Sequence, residues 1–213
     1  MRLPPPILAL SPGTLAACDA GSFVARVARC RERGLRGLVL REQQLCDRDY
    51  LALASALRDA LPLEIDGWLA LHGRPHLARA ARADAVHLGG RSLAPLRVRE
   101  WLDGEIALGL STHATEETQS WSGADYLVHG PVCATTKGET RVVGIGFAAL
   151  ARGVARARVS VWALGGLGPE HAAQAAQSGA SGMAVLGGLL AHPQAEDRTE
   201  QYVRAWLERA PKA

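Results

Sequence analysis

Short runs of wholly apolar residues alternate along this chain with longer segments whose apolar positions recur every three to four residues. Ile7–Leu10, Gly37–Arg41, Ile65–Leu71 and Ala85–Leu88 read as strands in the first half. Ile106–Leu110, Tyr126–His129, Val159–Leu164 and Gly182–Leu186 read as strands in the second. Between them, Ser22–Arg33, a segment capped by Asp47, Pro75–Arg82, Leu93–Leu102, Thr115–Ser122, Phe147–Arg156, Pro169–Ser178 and Glu196–Arg209 carry the helical period. The Asp47 segment lines up Leu51, Ala54, Leu57 and Leu61 on one stripe. Pro169 in a first turn and Gly179 after a last one are ordinary helix punctuation.

Runs such as Val161-Trp162-Ala163-Leu164 and Met183-Ala184-Val185-Leu186 are apolar on both faces, as strands of a parallel sheet buried on both sides must be. Eight strand–helix units at roughly 27 residues each fit one (β/α)8 barrel, a TIM barrel, spanning residues 1–213 as a single domain. A doubly wound open sheet would place G-x-G-x-x-G after its first strand, where Ser11-Pro12-Gly13 stands instead.

Composition narrows the function classes. At 48% hydrophobic and 21% charged residues, with a net charge of +3, the chain has no basic cluster for a nucleic-acid groove. No apolar run reaches the roughly 18–20 residues that cross a bilayer. Prolines break the N-terminus before any leader core, so a cytoplasmic location with no membrane partner is expected. Cys18, Cys30, Cys46 and Cys133 show neither C-x-x-C nor zinc spacing. No H-x-H or H-E-x-x-H pattern appears, so no metal site is expected from the histidines.

Gly165-Gly166 follows the seventh strand, and Leu186-Gly187-Gly188 ends the eighth. Glycine turns backed by helix N-termini bring backbone N–H groups close to an anion, and in barrels these two loops hold phosphate. Either pair alone could simply turn a strand into a helix; both together favour a phosphate-bearing small molecule. Thr135, Thr136 and Lys137, in the loop after the sixth strand, suit a mobile anion-binding lid or a plain polar surface loop. His72, His87, His113 and His129 fall at predicted strand ends, where they could move protons or pack as hydrogen-bonded strand residues. Carboxylates are scarce at those ends, with Glu42 the main one.

Five segments occur in order: Ala83-Asp84-Ala85-Val86-His87-Leu88-Gly89, Gly109-Leu110-Ser111-Thr112-His113, Gly123-Ala124-Asp125-Tyr126-Leu127-Val128-His129-Gly130-Pro131-Val132, Ala163-Leu164-Gly165-Gly166-Leu167 and Ser178-Gly179-Ala180-Ser181-Gly182-Met183-Ala184-Val185. With them the chain resembles the thiamine phosphate synthase/TenI family over nearly its whole length. The resemblance implies a barrel that is commonly a homodimer. One branch joins a hydroxymethylpyrimidine pyrophosphate to a hydroxyethylthiazole phosphate with magnesium; the TenI branch binds thiazole phosphate, and some members isomerise a thiazole carboxylate phosphate.

By position, the resemblance makes Arg41, Ser111, Thr135, Thr136 and Lys137 substrate-binding, and Gly166 with Leu186-Gly187 the phosphate cradle. The chain also departs from the family. The family's Gln-x-Arg-x-Lys reads Val39-Leu40-Arg41-Glu42-Gln43, its third-loop Asn-Asp reads His72-Gly73, and its fourth-loop acid is replaced near Arg91-Ser92. The tautomerase histidine falls at Pro131. The sequence therefore predicts a TenI-like protein without a cofactor, needing magnesium only if it is a synthase. If it is a tautomerase, the expected base is His129, then His113, with Cys133 third. A non-catalytic phosphate-binding module is the remaining reading.

Overall fold

The computed structural model describes residues 1–113, 121–137 and 140–209. Eight parallel strands close into the expected barrel. They are β1 (Ile7–Leu10), β2 (Gly37–Leu40), β3 (Trp68–His72), β4 (Ala85–Leu88), β5 (Ala107–Thr112), β6 (Tyr126–His129), β9 (Ser160–Leu164) and β10 (Gly182–Val185). The sixth loop carries an antiparallel hairpin, β7 (Thr135–Lys137) with β8 (Thr140–Val142). Helices α1 (Ala20–Glu32), α2 (Asp47–Ala60), α3 (Pro95–Arg99), α4 (Phe147–Arg156), α5 (Ala172–Gln177) and α6 (Ala195–Glu208) surround the barrel. None of the described helices is long and apolar enough to cross a membrane.

Strand parity divides the core in two. The outer layer packs Leu38, Leu40, Leu69, Leu71, Val86 and Leu108 among residues buried under the helices. The inner layer is a separate cluster of Leu8, Leu10, Val39, Trp68, Tyr126, Val128 and Trp162, completed by Ala70, Ala85, Ala107 and Ala184. The small residues of β3–β5 leave the barrel axis free for aromatic rings. Tyr126 makes edge contacts with Trp68 and Trp162, each at 5.8 Å between centroids. Its ring covers Gly109, where an added Cβ would lie 2.0 Å from the Tyr126 Cζ.

The N-terminal end of the barrel is tied by charge. Asp84, just before β4, accepts from the Leu69 N–H at 2.8 Å and pairs with the buried Arg58 at 2.6 Å. Asp125 repeats this before β6, accepting from the Leu108 N–H at 2.7 Å and from Arg99.

Several sequence expectations need correction. Asp47 is the first residue of α2, with Cys46 at the cap, and Leu51 is only partly buried beside Tyr50, Leu53, Ala54 and Leu57. Strand β3 starts at Trp68 because Leu63–Ile65 forms a 3-10 turn ending at left-handed Asp66. The Pro75–Arg82 helix contracts to a 3-10 turn, Pro75–Leu77, before Arg82 turns to φ +50°. Leu93–Leu102 contracts to α3, and Pro169–Ser178 divides into a 3-10 turn and α5. The Thr115–Ser122 helix lies mostly outside the described residues. The hairpin replaces a loop expectation; Thr135 and Thr136 face Val142 and Arg141, a β-favouring set of pairs.

Gly109→Ala is expected to destabilise the protein by about 3 kcal/mol, since the Tyr126 ring cannot retreat within a packed barrel. Urea unfolding followed by tryptophan fluorescence measures this; a loss below about 1 kcal/mol would show that the ring has room to move.

Candidate active site

Arg41 follows β2, its N–H donating to Ser11 Oγ at 2.7 Å. Its guanidinium lies over Gly13, where a Cβ would fall 2.2 Å from one terminal nitrogen. Glu42, fully buried, accepts from the N–H groups of Gly13 (2.8 Å) and Leu15 (2.9 Å) and from Gln44 Nε2 (2.9 Å). The main carboxylate expected at the mouth is thus committed to holding the first loop.

Across from it, Arg91 donates to Gln43 Oε1 at 3.2 Å, which leaves the amide nitrogen of Gln43 3.4 Å from His72 Nδ1. Burial, with the charges of Arg41 and Arg91, drives the His72 imidazole down to about 4, so it is neutral near neutrality. This side of the mouth is a cationic rim. Gly73 and Ser92 supply no carboxylate, and no group of three His, Cys, Asp or Glu among the described residues could hold a metal ion. The donor set does not fit the magnesium that the family resemblance implies.

One layer deeper, His87 is 2% exposed and faces inward. Its Nε2 lies 2.8 Å from Ser111 Oγ and its Nδ1 3.1 Å from the Tyr126 hydroxyl. Burial, reinforced by His72, lowers His87 to about 3. Burial also raises the Tyr126 phenol, so both groups stay neutral. Ser111 is half-buried and opens towards the mouth. The sequence marks Ser111 as substrate-binding through the family resemblance and His72 and His87 only as two of four strand-end histidines that could carry protons or simply pack. It gives Tyr126 and Arg91 no role in the site. The available signal was parity: His72 and His87 are register partners, and His87, Gly109, Ser111 and Tyr126 lie on inward positions.

His129 is not in this site. Val128 packs inside the barrel, so His129 turns to the helix side of β6, with Nδ1 2.9 Å from Thr112 Oγ1 and Trp121 at its edge. Gly153 of α4 packs on its ring. The sheet stands between this imidazole and Ser111, which removes His129 as a base for a ligand in the mouth. His113 remains at the rim, exposed, with Nδ1 2.7 Å from the Gly130 carbonyl. The Cys133 thiol is raised by burial and by the nearby Glu170, the opposite of an activated nucleophile.

The glycine turns lie where expected. Gly165 and Gly166 take left-handed φ values of +101° and +64°. The sixth loop lies on them, through Val132 N–H to the Leu164 carbonyl (2.8 Å) and Cys133 N–H to the Gly165 carbonyl (2.9 Å). A Cβ on Gly166 would meet the Ala134 carbonyl oxygen at 2.4 Å, whereas one on Gly187 would meet nothing within 4 Å. Only a 3-10 turn and the short α5 follow the seventh loop, and α6 begins well beyond Gly187 at Ala195. The expected helix N-terminus behind the eighth loop is therefore absent, and bare backbone N–H groups are what that turn offers. Thr135 and Thr136 stand on the hairpin above; the Lys137 side chain lies outside the described residues.

A sequence profile described as thiamine monophosphate synthase matches residues 14–189. The thiamine-phosphate synthase of Syntrophomonas wolfei is 30% identical over 87% of this chain and 89% of its own length. That of Rhodopirellula baltica is 32% identical over 92% of this chain, which spans about half (54%) of that protein. A thiamine phosphate pyrophosphorylase from Pyrococcus furiosus has the same fold, with a TM-score of 0.80 over 96% of both chains at 22% identity.

Gly187→Val is expected to fold with stability changed by less than about 0.5 kcal/mol, because the added side chain meets open space. It should weaken phosphate-ester binding about tenfold or more by calorimetry; unchanged affinity would remove Gly187 from the cradle. Gly166→Val would also displace the sixth loop, so it is the poorer probe. His87, depressed in the folded state, favours folding above pH 6.5, and that contribution is lost as pH falls towards 3. His87→Gln should therefore lose about 2 kcal/mol less stability than the parent between pH 7 and pH 5. Identical acid limbs in urea titrations would show that His87 is not held neutral.

Proposed function

The chain belongs to the thiamine monophosphate synthase family, and from that premise we propose that it condenses a hydroxymethylpyrimidine diphosphate with hydroxyethylthiazole phosphate. The observation that carries this reading is a mouth with anion-suited features on two sides. The glycine turns at Gly166 and Gly187 suit the phosphate of the thiazole, and Arg41 with Arg91 suits a diphosphate. In the reaction the C–O bond between the pyrimidine methylene and the diphosphate breaks, and its electron pair leaves with the diphosphate. The thiazole nitrogen lone pair then closes the new C–N bond, leaving the positive charge on the thiazolium. No proton has to be removed, so a site whose imidazoles are neutral and whose Glu42 is committed elsewhere suffices. Arginine charge at the leaving group takes the part of electrostatic stabilisation in the transition state.

The synthase names of the relatives support this reading over the TenI-like one drawn from the sequence. A binding or tautomerase role is favoured by one observation, the replacement of carboxylates by His72-Gly73 and Arg91-Ser92.

Incubation with both substrates should yield thiamine phosphate and diphosphate in equal amounts, with more than about half the rate surviving excess chelator. Arg41→Met should lower kcat by about a hundredfold, the scale of one lost transition-state donor. Binding of thiazole phosphate with no product would transfer the site to the second reading.

A further inference from the structure

The polar chain in the barrel interior has a direction, and its buried end sets it. Tyr126 is fully buried, between Trp68, Trp162 and the bare backbone of Gly109. The indole N–H groups of Trp68 and Trp162 are already used, on the Arg2 and Pro5 carbonyls at 3.1 and 2.9 Å. The one hydrogen-bond partner of the Tyr126 hydroxyl among the described residues is His87 Nδ1, at 3.1 Å. A phenol proton has to be donated somewhere, because leaving it unpaired in an apolar interior is unfavourable. Tyr126 therefore donates to Nδ1, and a neutral imidazole that accepts at Nδ1 carries its proton at Nε2. That N–H donates to Ser111 Oγ, 2.8 Å away.

We infer that Tyr126 and His87 are positioning residues that fix the Ser111 hydroxyl as a hydrogen-bond donor to the ligand. With one lone pair engaged by the His87 N–H, the Ser111 proton is left to point into the mouth. It matches a ligand group that accepts there, such as a phosphate or diphosphate oxygen or an unprotonated ring nitrogen. A nucleophilic serine would need the reverse chain, with Ser111 donating to Nε2 and the Tyr126 proton stranded. The low proton affinity of His87 and the high one of Tyr126 keep both neutral, as the chain needs. The inference rests on the synthase reading only for the identity of the ligand.

A long-range proton–nitrogen NMR spectrum of the full protein labelled at histidine nitrogens reads the tautomer directly. His87 should be the Nε2–H form in the parent and should lose that preference in Tyr126→Phe, which removes a single oxygen. The Nδ1–H form in the parent, or an unchanged spectrum in Tyr126→Phe, overturns the inference. Calorimetry with inorganic diphosphate and with thiazole phosphate supplies the second readout. Ser111→Ala should weaken at least one of them by about 10- to 100-fold, the scale of a hydrogen bond to a charged group. Tyr126→Phe should lose about fivefold on the same probe. His87→Leu should match Ser111→Ala, while His87→Gln, which keeps one donor and one acceptor, retains more. Unchanged affinity of Ser111→Ala for both probes overturns the outward donor. Should the parent bind neither probe, the synthase reading falls, while the His87 spectrum still decides the inference.

Discussion

The contact on which the rest of this barrel depends is the Tyr126 ring lying across Gly109. A barrel of this size has interior space for a few large side chains, and the alanines of β3, β4 and β5 concede that space to β6 and its neighbours. Three aromatic rings then fill the axis at edge-on geometry, each burying an area worth a few kcal/mol of hydrophobic stabilisation. Because Tyr126 is held from three sides, its hydroxyl has a fixed address. The hydroxyl, the polar atom of this plug that faces the mouth side, becomes the floor on which His87 and Ser111 stand.

Stability and the candidate site are placed at opposite ends of the barrel. Asp84 with Arg58 and Asp125 with Arg99 each join a carboxylate to a strand N–H and an arginine below the sheet. The N-terminal segment adds Arg2 and Pro5 carbonyls under the tryptophans. A buried pair such as Arg58–Asp84 is strongly destabilising to break from one side, because the remaining charge is stranded. With closure secured there, the mouth can carry features that a stability optimum would avoid. These include two left-handed glycines, a buried and a half-buried neutral histidine, and a rim of arginine charge.

The mouth is cationic at its edge and neutral at its floor. Burial, with Arg41 and Arg91, keeps protons off His72, and burial, with His72, keeps them off His87. The histidines are therefore neutral dipoles, and the arginines give the mouth a charge suited to the anionic ligand proposed for it. Glu42, which could have opposed that charge, is turned away to clamp the first loop.

Eight apolar runs at barrel spacing determined the fold from sequence alone, because strands buried on both faces must be apolar throughout and their spacing leaves room for one helix each. The glycine turns after β9 and β10 were legible for the same local reason, as were Arg41 and Ser111 through the family resemblance. The tertiary structure decided what depends on facing. His129 and His87 look alike in sequence, each at a strand end, yet a parity difference of one residue puts His129 under α4 and His87 on the axis. Strand ends uncertain by a residue or two hide that difference, since each step along a strand reverses the side chain's face. The Tyr126–His87–Ser111 chain spans three strands. It exists only once the barrel has closed and the absent side chain of Gly109 has left the space in which those groups meet.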